Sequence, residues 1–148
     1  MKKALFASVI MIALSGCQMT SQPQVDWQQD NKIEIMNTHI QLNSAVWIDQ
    51  MPTIGAEEDE SKLNMALTLT SKQVIAPELA IEKVVIRQGD DSWLLTDDEF
   101  EVRVHDNHTW EISGQSFHNI TADQLIDIAV QANDKWIIES DVQIDTVY

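Results

Sequence analysis

The sequence predicts an all-β protein, folded as an antiparallel β-sandwich of about seven to nine strands. From Ile33 onward, apolar and polar residues alternate in short runs, with the two-residue period of a half-buried strand. No stretch of the sequence sustains the 3.6-residue apolar period of a helix. Turn signals such as Gly89-Asp90-Asp91 and Asn133-Asp134 separate the runs, at the short spacing that is typical of sandwiches.

The chain begins with a segment that we interpret as a secretion signal. Lys2 and Lys3 precede an apolar stretch that runs from Ala4 to Leu14. This stretch is too short to span a bilayer, which needs about 20 apolar residues. It fits the apolar region of a signal peptide, which is roughly 7–15 residues long.

The run Leu14-Ser15-Gly16-Cys17 resembles the lipobox of bacterial lipoproteins. The resemblance covers residues 1–17 and implies cleavage before Cys17, a diacylglycerol on its thiol and an acyl chain on its amine. Two or three acyl chains give durable membrane attachment, because each buried CH₂ contributes about 0.8 kcal/mol. In members from bacteria with two membranes, aspartate after the cysteine favours the inner membrane. Gln18 stands there in this chain, which implies an outer-membrane protein that faces the periplasm.

The alternative to a lipobox is an ordinary signal peptide with a cysteine nearby by chance. After either kind of cleavage, the polar, glutamine-rich residues 18–32 predict a flexible tether. As a coil, these 15 residues would have a root-mean-square span of roughly 20 Å. The predicted organisation is therefore a signal peptide over residues 1–16, a lipidated N-terminus and tether over 17–32, and a sandwich domain over 33–148.

The charge limits the classes of partner. The chain has 24 acidic and 9 basic residues, and loss of residues 1–16 would leave 24 acidic and 7 basic residues, a net charge of −17. Such a surface argues against nucleic-acid binding, which depends on clustered lysine and arginine. It also argues against a domain that lies flat on anionic lipid. We therefore expect membrane attachment through the acyl chains on Cys17, and cationic proteins or divalent cations as compatible partners, beside the plain alternative of a soluble acidic surface.

Three long runs form the first part of the predicted sandwich. Residues 40–48 carry isoleucine, leucine and valine at positions of one parity, and residues 63–69 carry leucine and methionine in the same way, which predicts strands with one buried face. The run 63–69 has the clearest alternation in the chain. Residues 81–88 are rich in β-branched side chains and end at Gly89, where a turn follows.

Five further runs complete the predicted sandwich. Residues 121–132 have a helical alternative, because Thr121-Ala122-Asp123-Gln124 resembles a helix N-cap. The β-branched alternation that follows favours a strand. The five runs are residues 93–96, 100–104, 110–112, 126–130 and 136–144.

The order of the runs over residues 63–144 resembles that of an immunoglobulin-like domain. The chain lacks the cysteine pair of antibody domains, since its one cysteine is Cys17, so the resemblance implies the sandwich architecture alone. Without a disulfide, the fold must rest on its apolar core. The supply is adequate, because 44% of the residues are hydrophobic and five are tryptophan.

Three acidic stretches are candidate calcium ligands. Calcium takes six to eight oxygen ligands, often from carboxylates on loops. No stretch has the Asp-x-Asp-x-Asp-Gly spacing of a dedicated calcium loop, so solvated acidic loops are the favoured alternative. The stretches are Glu57-Glu58-Asp59-Glu60, Asp90-Asp91 and Asp97-Asp98-Glu99.

The histidines His105, His108 and His118 are candidate ligands for Zn²⁺ or Cu²⁺. His105 shares the outward parity of its charged neighbours, which predicts a side chain that is simply exposed. Methionines could add soft ligands for Cu⁺, although Met65 alternates with leucines and is better explained as core. The methionines that could contribute such ligands are Met36, Met51 and Met65.

Residues 47–55 are apolar for a loop and are a candidate for partner binding. Pro52 argues against a regular central strand here. If the segment is exposed, its apolar side chains would suit an interface core, where tryptophan and methionine are enriched. These side chains are those of Trp47, Met51, Pro52 and Ile54. In the favoured alternative, Trp47 and Ile54 plug the open end of the sandwich.

The sequence has no motif for catalysis. It lacks a Gly-x-Ser-x-Gly elbow, a His-Glu-x-x-His pair and any cysteine besides Cys17. We therefore predict a non-catalytic, cofactor-free accessory module that binds another envelope component, with an exposed 47–55 loop or a free strand edge. The alternative is a lipoprotein that binds a divalent metal (calcium, zinc or copper) or a small ligand, with several acids or histidines close together.

Overall fold

The computed structural model describes residues 24–49, 62–116 and 120–147. These residues form ten β-strands in two sheets that pack as a sandwich, which confirms the predicted all-β, immunoglobulin-like class. The structure has ten strands in the described residues, where the sequence predicts about seven to nine. The difference arises because β1 was not expected and because the last predicted run divides into β9 and β10. In the described ranges, no helix is long and apolar enough to cross a membrane.

The strands follow the alternating runs of the sequence closely. In chain order they are β1 (Lys32–Ile35), β2 (Thr38–Asp49), β3 (Leu63–Thr70), β4 (Ile81–Gln88), β5 (Asp91–Leu95), β6 (Phe100–Asp106), β7 (Thr109–Ser116), β8 (Ile126–Ala132), β9 (Lys135–Val142) and β10 (Ile144–Val147). Residues 121–125 form turn and irregular backbone before β8, so the strand and not the helical alternative is correct there.

Sheet A has the order β1-β2-β3-β7-β6, and β10 also pairs with β2. Strand β2 has 12 residues, whereas β1 and β10 have four each. On the side of β2 away from β3, β1 therefore pairs with the first part of β2 and β10 with its last part. The β10–β2 pair is parallel, whereas the other described pairs of sheet A are antiparallel. Sheet B has the order β5-β4-β8-β9, and its pairs are antiparallel.

The core lies between the two sheets and consists of the side chains on one parity of each strand. In β3, Leu63, Met65, Leu67 and Leu69 are all buried, while the residues between them are half-buried. Full burial of such a side chain stabilises the fold by about 1.5–3 kcal/mol. Met65 is therefore a core residue, as its alternation with leucines predicted.

Two hairpins turn through residues with positive φ, as type I′ turns require. Asn133 and Asp134 (φ 46° and 66°) connect β8 to β9, and the Asn133 side-chain oxygen accepts a hydrogen bond from the Ala80 N–H at 2.8 Å. Met36 and Asn37 (φ 52° and 60°) connect β1 to β2 in the same way. The second turn was not predicted, because methionine rarely adopts this conformation.

The outer face of sheet B is covered by residues from the N-terminal segment. Val25 and Trp27 pack against it, and the Arg87 guanidinium carbon lies 4.1 Å from the centre of the Trp27 ring. Arg87 Nη2 is also 2.6 Å from Asp127 Oδ2, so one arginine joins the ring to β8. The apolar residues beneath are Val85, Ala129 and Ile138, with Leu94 and Trp136 at their margin.

Backbone hydrogen bonds continue this attachment towards β1. The Ile138 N–H donates to the Asp30 carbonyl oxygen at 3.1 Å, and the Leu42 N–H donates to the Asn31 carbonyl oxygen at 2.7 Å. The second half of the segment that we predicted as a tether therefore lies against the sandwich. Residues 18–23, the first part of that segment, and Cys17 lie outside the described residues.

The carboxylate of Glu139 bridges the two sheets at the open side of β2. Its Oε2 accepts a hydrogen bond from the Ser44 N–H at 3.0 Å. Ser44 lies in the part of β2 between the residues that pair with β1 and those that pair with β10. Burial raises the pKa of the Glu139 carboxyl above its usual value, and the hydrogen bond from the Ser44 N–H opposes this rise.

Candidate functional site

Strand β6 forms an exposed edge of sheet A. Among the described residues it pairs only with β7, and every residue of β6 after Phe100 is exposed. Val102 and Val104 stand opposite Ile112 and Trp110, so they lie on the inner side of the sheet. Their exposures are nevertheless 37% and 62%, because β6 is the outermost strand and sheet B leaves them uncovered.

An uncovered edge strand offers a partner both backbone and apolar contacts. Its outward N–H and C=O groups can pair with an added strand. The seven residues of β6 give an edge of about 23 Å at roughly 3.3 Å per residue. The features that protect such an edge here are Arg103 and an irregularity in register between Val104 and Asp106.

A groove with acidic walls lies beside the start of β6, on the outer face of sheet A. We call it the acidic groove; its volume is about 380 Å³. Trp47 of β2 stands opposite Asn64 of β3 at one side, and the other side is the turn that precedes β6. The residues whose side chains contribute to the outer face or the turn are Trp47, Asn64, Asp98, Glu99, Glu101, Ser113 and Gln115.

A glycine at the floor of the acidic groove lets β6 approach β7 closely. Gly114 stands opposite Phe100 in the register. A Cβ atom at residue 114 would lie 3.1 Å from the Glu99 carbonyl oxygen and 3.2 Å from the Phe100 Cβ. The absence of a side chain therefore sets the position at which the acidic turn joins the edge strand.

Among the residues predicted for partner binding, the structure places Trp47 in strand β2, so the strand extends into the segment that we predicted as a loop. The alternation of β2 puts the Trp47 side chain on the outer face of sheet A, where it is half-buried. Met51, Pro52 and Ile54 lie outside the described residues. The structure thus brings Trp47 and the acidic turn 97–99 to one groove, although the two are separate features of the sequence.

The candidate metal ligands are scattered in the described part of the chain. His105 Nε2 lies 2.6 Å from Glu111 Oε2 on the outer face of sheet A, and the His105 side chain is exposed. His108 lies in the β6–β7 turn, with its Nδ1 3.0 Å from the Gln73 carbonyl oxygen. Residues 24–49, 62–116 and 120–147 contain no group of three histidine, cysteine or carboxylate side chains that could hold a metal ion. Glu57, Glu58, Asp59, Glu60 and His118 lie outside these ranges.

Val102 and Val104 are the site residues that sequence reasoning missed, because their alternation looked like that of a buried face. A signal was present in the composition of the strand. Four of the seven β6 residues are Glu101, Arg103, His105 and Asp106, and such a density of charged groups is typical of an edge strand.

Comparison with known proteins gives no further guide to the site: no family model, no curated protein and no solved structure matches this chain.

Proposed function

We propose that this protein is a lipoprotein, held by acyl chains on Cys17 in the outer membrane and facing the periplasm, and that it acts as a non-catalytic binding module. Its partner is an envelope protein that presents an extended basic segment. The observation that carries the proposal is the exposed edge of β6, with Val102 and Val104 uncovered on its inner side and the acidic groove on the outer face at its start.

The partner segment pairs with the β6 backbone as an added strand of sheet A. In this mode the main chain supplies affinity and alternate side chains supply specificity. Apolar side chains on one parity of the partner cover Val102 and Val104. The exposed fractions of the two valines add up to about one whole side chain, so their burial is worth roughly 1.5 kcal/mol, or about tenfold in Kd.

Charge complementarity selects a basic partner rather than a second copy of this chain. After cleavage before Cys17, the net charge of 7 − 24 = −17 makes two copies repel each other, whereas it attracts a cationic segment. The carboxylates of Asp98, Glu99 and Glu101 lie at the start of β6 and would receive basic side chains there.

The docked N-terminal segment supports a position close to the membrane. Trp27 and Val25 are packed on sheet B, so seven residues, 18–24, separate Cys17 from the docked segment, rather than fifteen. The eight Cα–Cα steps from Cys17 to Val25 span at most about 29 Å. A partner in or next to the same membrane is therefore within reach of the domain.

Photocrosslinking from the edge strand in intact cells tests the partner. A benzophenone amino acid at position 104 or 102 should capture the same partner peptide, which contains lysine or arginine, and capture should fall as salt is raised. The same probe at Glu78, an exposed turn residue away from β6, is the matched control. Equal capture from position 78, or capture of another copy of this chain, would contradict the proposal.

The membrane anchor has a separate test. Replacement of Cys17 by serine removes the acylated thiol, so the protein should move from the membrane fraction to the soluble fraction or remain unprocessed. Normal processing together with full membrane retention would show that the lipoprotein assignment is wrong, without affecting the assignment of the β6 edge.

A further inference from the structure

A second cavity lies at the opposite end of the outer face of sheet A. Its volume is about 560 Å³, and we call it the cationic cavity. Gln41 and Thr70 stand opposite each other at this end, whereas Trp47 and Asn64 stand opposite each other at the acidic groove. The six steps along β2 from residue 41 to residue 47 separate the two by about 20 Å. The cationic cavity is lined by Lys32, His39, Gln41, Thr70, Ser71, Lys72 and Gln73.

The lining of the cationic cavity differs in charge from the rest of the chain. It contains two lysines and a histidine and none of its seven residues is acidic, in a protein with 24 acidic and 9 basic residues. The acidic groove carries three carboxylates, and so does a cavity on the other side of β1 that is lined by Asp26, Glu34 and Asp134. The cationic cavity is therefore a local reversal of the charge of the surface.

The register of three neighbouring strands sets the floor of the cavity. Lys32 of β1 stands opposite Gln41 of β2, which stands opposite Thr70 of β3. Adjacent strands are about 4.8 Å apart, so the Lys32 and Thr70 backbones are separated by about 10 Å. A lysine, a glutamine and a threonine therefore occupy neighbouring positions in a row across the sheet.

The loop that carries Lys72 is held on both sides. The His39 N–H donates to Gln73 Oε1 at 3.3 Å, which joins the loop to β2. The Ser71 N–H donates to the His108 carbonyl oxygen at 3.0 Å, and His108 Nδ1 lies 3.0 Å from the Gln73 carbonyl oxygen. The wall of the cavity is thus positioned before any ligand arrives, which lowers the entropic cost of binding.

Among the described ion pairs, one joins a side chain of the lining to a carboxylate. In that pair, the Glu34 carboxylate lies 3.8 Å from His39 Nε2. Lys135 lies beside it, since its Nζ donates to the Glu34 carbonyl oxygen at 2.9 Å, but Lys135 lines the neighbouring cavity together with Asp26 and Asp134. The lining of the cationic cavity itself therefore remains positive, with Lys32 and Lys72 against the one carboxylate of Glu34.

We propose that the cationic cavity binds a small phosphate ester of a sugar or cyclic polyol. Phosphate oxygens are strong acceptors for ammonium groups, and two lysines, Lys32 and Lys72, line the cavity. The Gln41 amide and the hydroxyls of Thr70 and Ser71 both donate and accept, as ring hydroxyls require. The Gln73 amide, whose oxygen accepts from the His39 N–H, offers its own N–H groups as donors. The volume is within the range of small-ligand sites, about 300–1,000 Å³. This site shares no residue with the β6 edge, so the two proposals stand or fall separately.

Isothermal titration calorimetry of the full chain in a non-ionic detergent tests the site, with glucose 1-phosphate as the probe and glucose as the neutral comparison. We expect saturable binding of glucose 1-phosphate with one site, weakening with salt, and none of glucose. Lys72→Gln or Lys32→Gln should weaken binding about tenfold, the loss expected for one charge-assisted hydrogen bond. Lys83→Gln removes the same charge from β4 in sheet B and should leave the affinity unchanged.

The source of the phosphate is distinguished by a second titrant, a short-chain phosphatidylinositol phosphate below its micelle concentration. Tighter binding of this compound than of glucose 1-phosphate assigns the site to a lipid headgroup, and equal or weaker binding assigns it to a free ligand. The proposal is overturned if neither compound binds, if glucose binds as well as its phosphate, or if Lys83→Gln weakens binding as much as Lys72→Gln.

Discussion

Replacement of Trp27 by alanine tests whether the N-terminal segment is a structural part of the domain. Truncation of a fully buried tryptophan costs about 3–5 kcal/mol. Trp27 is half-buried, so we expect a loss of about 2 kcal/mol in the free energy of unfolding, of which roughly 0.5–1 kcal/mol comes from the contact with Arg87. The loss should appear as a lower urea midpoint with little change in slope.

A local measurement separates docking from a general loss of stability. The Ile138 N–H donates to the Asp30 carbonyl oxygen only while the segment lies on sheet B, so its hydrogen exchange should accelerate more than that of the neighbouring β8–β9 amides. Trp27→Phe retains an aromatic ring over Arg87 and should cost less than half as much. If Trp27→Ala lies within about 0.5 kcal/mol of the parent and Ile138 exchange is unchanged, the segment does not contribute to the fold.

Two further substitutions test the edge and the bridge between the sheets. Gly114→Ala places a methyl group 3.1–3.2 Å from the Glu99 and Phe100 atoms, so we expect a loss of about 1–3 kcal/mol and faster amide exchange in β6; an unchanged urea midpoint would refute the close approach. Glu139 has a raised pKa in the folded state. Its contribution to the free energy of unfolding is therefore fully present below the ordinary pKa of 4.5 and is lost as the pH rises through the pKa of the folded state. Glu139→Gln should remove this loss, and the stability of the variant relative to the parent should therefore grow as the pH is raised above 4.5. Glu78→Gln, in an exposed turn, should show no such trend, and the same trend in both variants would contradict the assignment to Glu139.

The positions of the strands could be predicted because alternation is a local property of the chain. In residues 63–69 the apolar parity is complete, and the structure buries all four of its members. The Asn133-Asp134 turn was predicted for a similar reason, since asparagine and aspartate tolerate positive φ. The Met36-Asn37 turn follows the same geometry without the same signal, so it could not be found in this way.

The position of each strand within a sheet is decided by tertiary structure. Residues 63–69 and 100–104 alternate alike, but β3 lies between two strands and β6 lies at the edge. The same pattern therefore gives buried leucines in one strand and exposed valines in the other. Alternation specifies which side chains share a face, and only the neighbouring elements decide whether that face is covered.

The two cavities show the same division between sequence and structure. Trp47 and the acidic turn 97–99 were separate candidates in the sequence, and the pairing of β2, β3, β7 and β6 brings them to one groove. Lys32 and Lys72 are forty residues apart, and strand register places them around one cavity.

By itself, the sequence determined the fold class and the strand positions, because both depend on alternation and turn chemistry along short stretches of chain. Its charge and its first 17 residues further restricted the classes of partner and location that we propose. Tertiary structure alone decided that β6 is an edge, that Trp27 docks on sheet B and that scattered lysines surround a cavity. Each of these is a contact between residues distant in sequence, and its free energy depends on strand order and register, which local periodicity does not specify.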